Sequence, residues 1–142
     1  MAALEDAHKQ VATAFLQAIA DGDEAALEAL LAPDFHWWVA GWGERSRAAL
    51  LTALGRTMVC FSTRCITVTG ITAEGERVAV EAEGRFERTG LTYCNTYHYL
   101  FIVRDGQISS GREYFDTAVA SAAFGPPPPR LTNPANTTGK TP

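Results

Sequence analysis

Apolar residues at Leu4, Ala7, Val11, Phe15, Ala18 and Ile19 recur at helical spacing and predict an amphipathic helix over residues 4–20 with one buried stripe. Asp21-Gly22-Asp23 stops it. Gly22 suits the left-handed position after a helix, and Asp23 can accept from the free N–H groups of a second helix over residues 24–31. Ala32-Pro33-Asp34 breaks that helix, because proline cannot continue the ladder and disfavours a helical residue before it. A short aromatic strand over residues 35–39 leads into the glycine-rich turn Gly41-Trp42-Gly43. Leu50, Leu51, Leu54 and Met58 then mark one side of a third helix, residues 46–58, weakened by Gly55.

Beyond this point the apolar period changes from helical to alternating. Residues 65–69 are a β-branched run, and the turn-rich 73–76 precedes a strand over 77–88. One face of that strand carries Val78, Val80, Ala82, Gly84 and Phe86, and the other carries Glu81, Glu83, Arg85 and Glu87. The charged face reads either as solvated or, if the sheet bends at Gly84, as turned inward. The next strand places Tyr93, Asn95, Tyr97, Tyr99 and Phe101 opposite Cys94, Thr96, His98, Leu100 and Ile102. Neither face suits open solvent, so helices are expected on one side and a pocket or partner subunit on the other. Asp105-Gly106 signals a tight hairpin into a last strand. If that strand is regular, Ile108, Ser110, Arg112, Tyr114 and Asp116 share a face. Helices followed by antiparallel strands predict an α+β fold with helices on one face of a sheet.

Composition adds bounds. The 142 residues suit about one domain, expected over 1–124, and 46% hydrophobic with 20% charged residues is ordinary for a globular chain. From Gly125 onward GPPPPRLTNPANTTGKTP has almost no core-forming residues, so 125–142 is expected to be a disordered tail. A net charge of −4 without a basic cluster gives no footprint for nucleic acid or an anionic membrane. No membrane span or signal peptide is apparent, which predicts a cytoplasmic protein. Cys60, Cys65 and Cys94 lack metal-site spacing and read as reduced, packed thiols, while His8, His36 and His98 lie on different elements. No metal or other cofactor is expected.

The candidate chemistry lies at two places. Asp116, at the end of the last strand beside Arg112 and Tyr114, is either an acid/base or the cap of the turn leading to Ala118. In the aromatic strand Phe35, Trp37 and Val39 alternate with His36 and Trp38, which reads as core or as a pocket wall where Trp38 stacks on a ligand and His36 supplies a hydrogen bond.

Four stretches, ADGDEAALEALLAPDF, WWVAGWG, YCNTY leading into FIVRDGQI, and REYFDT, resemble the SnoaL-like and ketosteroid-isomerase-like proteins of the nuclear transport factor 2 superfamily. The resemblance spans residues 4–120 and implies a cone-shaped, strongly curved antiparallel sheet that, with three N-terminal helices, encloses an apolar pocket, commonly in a homodimer. The isomerase's tyrosine and aspartate positions fall on Phe15 and Val39. The terminal motif is similar to that of limonene-epoxide hydrolase, whose terminal aspartate falls on Asp116. That enzyme's arginine and second aspartate fall on Glu83 and Arg85 with charges exchanged, and its water-holding pair falls on Trp37 and Val39. The implied activity is cofactor-free acid/base chemistry on an apolar polyketide-like or terpenoid-like molecule. Asp116 would be the acid/base with Glu83 and Arg85, Asn95 and Tyr97 would orient a substrate oxygen, and Trp38, His36, Phe101 and Tyr114 would line the pocket. A non-catalytic ligand-binding or dimerisation module is the alternative.

Overall fold

The computed structural model describes residues 2–127 and 129. Its elements run α1 (Ala2–Asp21), α2 (Glu24–Leu30), β1 (Leu31–Val39), β2 (Gly43–Ser46), α3 (Arg47–Cys60), β3 (Thr63–Glu74), β4 (Arg77–Arg88), β5 (Leu91–Arg104), β6 (Gln107–Phe115) and α4 (Thr117–Phe124). The six strands form one open, curved sheet in the order β2-β1-β6-β5-β4-β3. The α+β expectation holds, with two changes. β1 and β6 run parallel in an otherwise antiparallel sheet, and a fourth helix follows β6. The predicted tail beyond residue 129, and position 128, lie outside the described residues.

Local chemistry accounts for the boundaries. The Asp23 carboxylate accepts from the Ala26 N–H and caps α2, and Ser46 caps α3 through the Ala49 N–H. α2 ends one residue short of Leu31, and the chain is already extended there, so β1 begins four residues before the aromatic run. Pro33 sits in an irregular stretch of β1: pairing with β6 jumps from Leu31 to His36, and β2 covers only His36 to Val39. No ladder hydrogen bond is demanded of it. Asp105 and Gly106 both have positive φ, as a two-residue turn between right-twisting strands requires.

The core lies between α1 and the inner face of the sheet. Trp37 stands at its centre, 2% exposed, with ring centroids 5.8 Å from both Phe15 and Phe101 and 6.2 Å from Tyr99. Its ring lies directly on Gly111 of β6, where an added Cβ would fall inside the indole. Phe101, expected as a pocket wall, is fully buried in this cluster.

The last strand does not alternate regularly. Val103 pairs with Ile108 but Ile102 pairs with Ser110, so Ser109 is an extra residue and the strand bulges. A one-residue insertion exchanges the two faces downstream. Gly111, Glu113 and Phe115 therefore point inward, opposite Phe101, Tyr99 and Tyr97, and Arg112, Tyr114 and Asp116 point outward. β4 is regular through Gly84, so Glu83 and Arg85 stay on the outer face. Gly84 instead leaves room for the rings of Phe86 and Tyr97. The three cysteines are exposed and not packed, because Cys65 and Cys94 fall on outward positions of their strands and Cys60 on the open side of α3's last turn.

Candidate functional site

Between the inner face of the sheet, α3 and α4 lies a cavity of about 270 Å³ with mostly apolar walls. Its polar groups are few: Glu113 on β6, Arg45 on β2, Thr57 on α3, and the tyrosines Tyr93, Tyr97 and Tyr99 of β5. Small-molecule sites commonly show this composition, an apolar concavity with a small number of placed polar groups.

Glu113 is the unusual group. Its Cα pairs with Tyr99 on one side and Val39 on the other, which sets it in the middle of the sheet. The residue is half-buried and lines the cavity. Burial pushes its carboxyl from 4.5 up to about 7, opposed by a hydrogen bond from Trp37 and by the charge of Arg45. Trp37 Nε1 donates to Glu113 Oε2 at 3.3 Å. Near neutral pH the group is close to equally divided between acid and base. Tyr97 and Tyr99 are driven the other way from use as bases: burial raises both well above the ordinary phenol value, with Tyr93 adding to the shift on Tyr97 and Glu113 to that on Tyr99. Their hydroxyls stay protonated and can donate hydrogen bonds into the cavity.

The residues expected from sequence are dispersed. Only Tyr97 lines the cavity. Asp116 lies outside it as the N-cap of α4, its Oδ1 accepting from Ala118 N at 3.0 Å and Val119 N at 3.2 Å. Glu83 and Arg85 border an open outer groove with Asp116, and Arg85 Nε donates to Glu87 at 2.6 Å instead of reaching Asp116. Asn95 is buried and fully used: Oδ1 accepts from Asp116 N at 3.0 Å, and Nδ2 donates to Asp116 O at 3.0 Å and to the Tyr93 hydroxyl at 2.7 Å. Its amide continues the ladder where β6 ends, so it fastens the base of α4. Trp38 and Tyr114 pack at a tilt on the outer face, 5.2 Å between centroids, with the Arg112 guanidinium 3.9 Å from the Trp38 ring centroid. His36 and His98 are exposed, whereas His8 is buried with Nδ1 2.7 Å from the Gly75 carbonyl. Among the described residues no three His, Cys, Asp or Glu side chains cluster as metal ligands, and no helix is long and apolar enough to cross a membrane.

The SnoaL-like domain family matches residues 12–111, most of the chain. The chain belongs to this family. A solved NTF2-like protein from Burkholderia xenovorans is 31% identical over 84% of this chain and 96% of its own, with a TM-score of 0.65. An LEH-like epoxide hydrolase from M. tuberculosis is 24% identical over 80% of this chain and 86% of its own, TM-score 0.72. IdmH from Streptomyces antibioticus, a proposed polyketide cyclase, is 24% identical over 83% and 98%, TM-score 0.71. The last two likenesses establish the shared fold. No curated protein matches the chain. The cavity and the carboxylate at position 113 are read from this chain's own geometry.

Glu113 has a consequence for stability. The unfolded chain loses this proton near 4.5 and the folded chain near 7, so between those values the folded state holds the extra proton. Stability contributed at this site therefore falls as pH rises through the window, and is level above it. Wild type is expected to lose about 3 kcal/mol relative to Glu113→Gln between pH 4.5 and 7, from ~1.4 kcal/mol per pH unit. Urea titrations at several pH values measure it, and equal pH slopes in the two proteins would contradict it.

Proposed function

We propose that this SnoaL-like protein binds a compact apolar molecule in the cavity and moves a proton on it, with Glu113 as general base. The observation that carries this reading is a carboxyl held at the cavity wall with its ionisation raised to about 7. Such a group is a stronger base than an exposed carboxylate and is still substantially ionised at neutral pH. Its position, pairing with Tyr99 and beside Tyr97, supports a division of work. Glu113 takes a proton from carbon while a tyrosine hydroxyl donates to the oxygen on which charge develops. The aromatic walls, among them Trp42, Phe61 and Phe86, supply the apolar surface against which the ligand body packs. A volume of about 270 Å³ lies just below the ~300–1,000 Å³ common for small-molecule sites, which favours a molecule of one or two rings. Isomerisation, cyclisation and dehydration all begin with this proton transfer, and it needs no cofactor. The polyketide cyclase and epoxide hydrolase names of the structural neighbours are compatible with it.

Glu113 replaces Asp116 in this reading because Asp116 faces away from the cavity and caps α4. A homodimer formed over the outer face of the sheet completes the proposal. Trp38, Tyr114 and Arg112 form a contiguous patch there, with Tyr114 40% exposed. Sedimentation equilibrium should give twice the chain mass at micromolar concentration, and Arg112→Glu should shift it to one; a wild-type monomer contradicts this part.

For the chemistry, hydrogen–deuterium exchange at the α-carbon of compact cyclic ketones such as 1-tetralone can be followed by proton NMR. Exchange should rise with pH to a plateau above about 7, because the base must be ionised. Glu113→Gln should slow it by ~10²–10⁴-fold, and Asp116→Asn should leave it near wild type. Ketones that bind without exchange would favour a binding module, and exchange indifferent to Glu113→Gln would remove Glu113 from the role.

A further inference from the structure

The cavity wall carries a second charge, and its environment says what the ligand brings. Arg45 lies opposite Trp37 in the β1–β2 pairing, on the inner face, whereas its neighbour Glu44 lies opposite Trp38 on the outer one. The residue is half-buried and lines the cavity with Glu113. It is near enough to lower the Glu113 carboxyl's affinity for its proton. The two are not in contact: among the described residues Arg45 forms no ion pair within 4.0 Å and no hydrogen bond.

Four other arginines of this chain find carboxylate or carbonyl acceptors, and Arg56 and Arg77, which have none among the described residues, are exposed where Arg45 is half-buried. Arg85 and Arg104 each reach a carboxylate at 2.6 Å, on Glu87 and Glu76. Arg64 donates to three backbone carbonyls, and Arg47 to one. Arg45 has acceptors of neither kind, and it lines a cavity whose walls are mostly apolar. A carboxylate presents two parallel acceptors that match the guanidinium fork, and such charge-assisted pairs are about twice as strong as neutral hydrogen bonds.

We propose that the cavity selects compact apolar carboxylic acids, with the ligand carboxylate on Arg45 and the hydrocarbon body along the aromatic wall formed by Phe61, Phe86 and Phe115. This rests on the reading of the cavity as a ligand site, and is independent of whether Glu113 turns the ligand over. Arg45 is then the residue that sets ligand class, and Glu113 the one that acts on the part of the ligand the anchor leaves free.

Isothermal titration calorimetry at pH 7 with 2-naphthoate and 2-naphthamide tests it, since the two differ in charge and scarcely in shape. Wild type should bind the acid at least about tenfold more tightly than the amide. Arg45→Met, which keeps the apolar stem, should bring the acid to the amide's level and leave the amide unchanged, while Arg45→Lys should retain part of the preference. Thermal melts without ligand check that both variants fold, and the wild-type comparison needs no variant. Equal binding of acid and amide by wild type, or an acid preference that survives in Arg45→Met, overturns the carboxylate assignment and leaves the ligand site standing. Binding of neither compound overturns both.

Discussion

The Trp37 indole joins the two halves of this molecule. Its ring rests on Gly111 and against Phe15 and Phe101, which fixes the depth at which β6 lies under α1. Its N–H points along the sheet to Glu113, two residues further on. A tryptophan buried this fully needs a partner for its N–H. The partner here is a carboxylate, and so a core requirement fixes the position of the one carboxyl that lines the cavity. The hydrogen bond lowers the Glu113 value and burial raises it; burial prevails because the carboxylate has no ion pair to replace its hydration.

The bulge at Ser109 makes this meeting possible. Without the extra residue Arg112 and Tyr114 would face the core and Glu113 would face solvent. With it, the same strand offers a cation and an aromatic ring to the outer face, where they pack against Trp38, and a carboxylate to the inner face. At the end of the strand the Asn95 amide takes over the pairing from the backbone and holds Asp116, which in turn caps α4. α4 brings Phe124 to 4.7 Å from Tyr93, between ring centroids, and closes one side of the cavity.

Much of this was legible from residue pattern. The Asp23 cap and the Asp105-Gly106 turn each carry a local signal that tertiary context did not override. The first helix forms as its spacing predicts, although Leu4 and Ala7 of the expected stripe are exposed and His8, Ala12 and Leu16 join Phe15, Ala18 and Ile19 on the buried face. The resemblance to SnoaL-like proteins supplied the architecture that local patterns leave open. The site was less legible because it depends on parity. Downstream of Ser109 the two faces, Gly111-Glu113-Phe115 and Arg112-Tyr114-Asp116, each hold one ring together with charged residues, one on the first and two on the second, so alternation alone does not say which is inside. The serine pair followed by glycine, a run poor in strand-forming residues, is the one sequence sign of the bulge. Arg45 was obscured for a related reason: β2 has four residues and begins at the second of two glycines with positive φ, too short a run to show alternation.

The account stands on Glu113 being a desolvated carboxyl at the cavity wall. Carbon-detected NMR titration of its side-chain carboxyl, assigned by loss of the signal in Glu113→Gln, measures that property without a substrate. A midpoint near 7 is the predicted result. A midpoint at or below 4.5 would mean that water or Arg45 already satisfies the charge, and the proposed base would be an ordinary carboxylate.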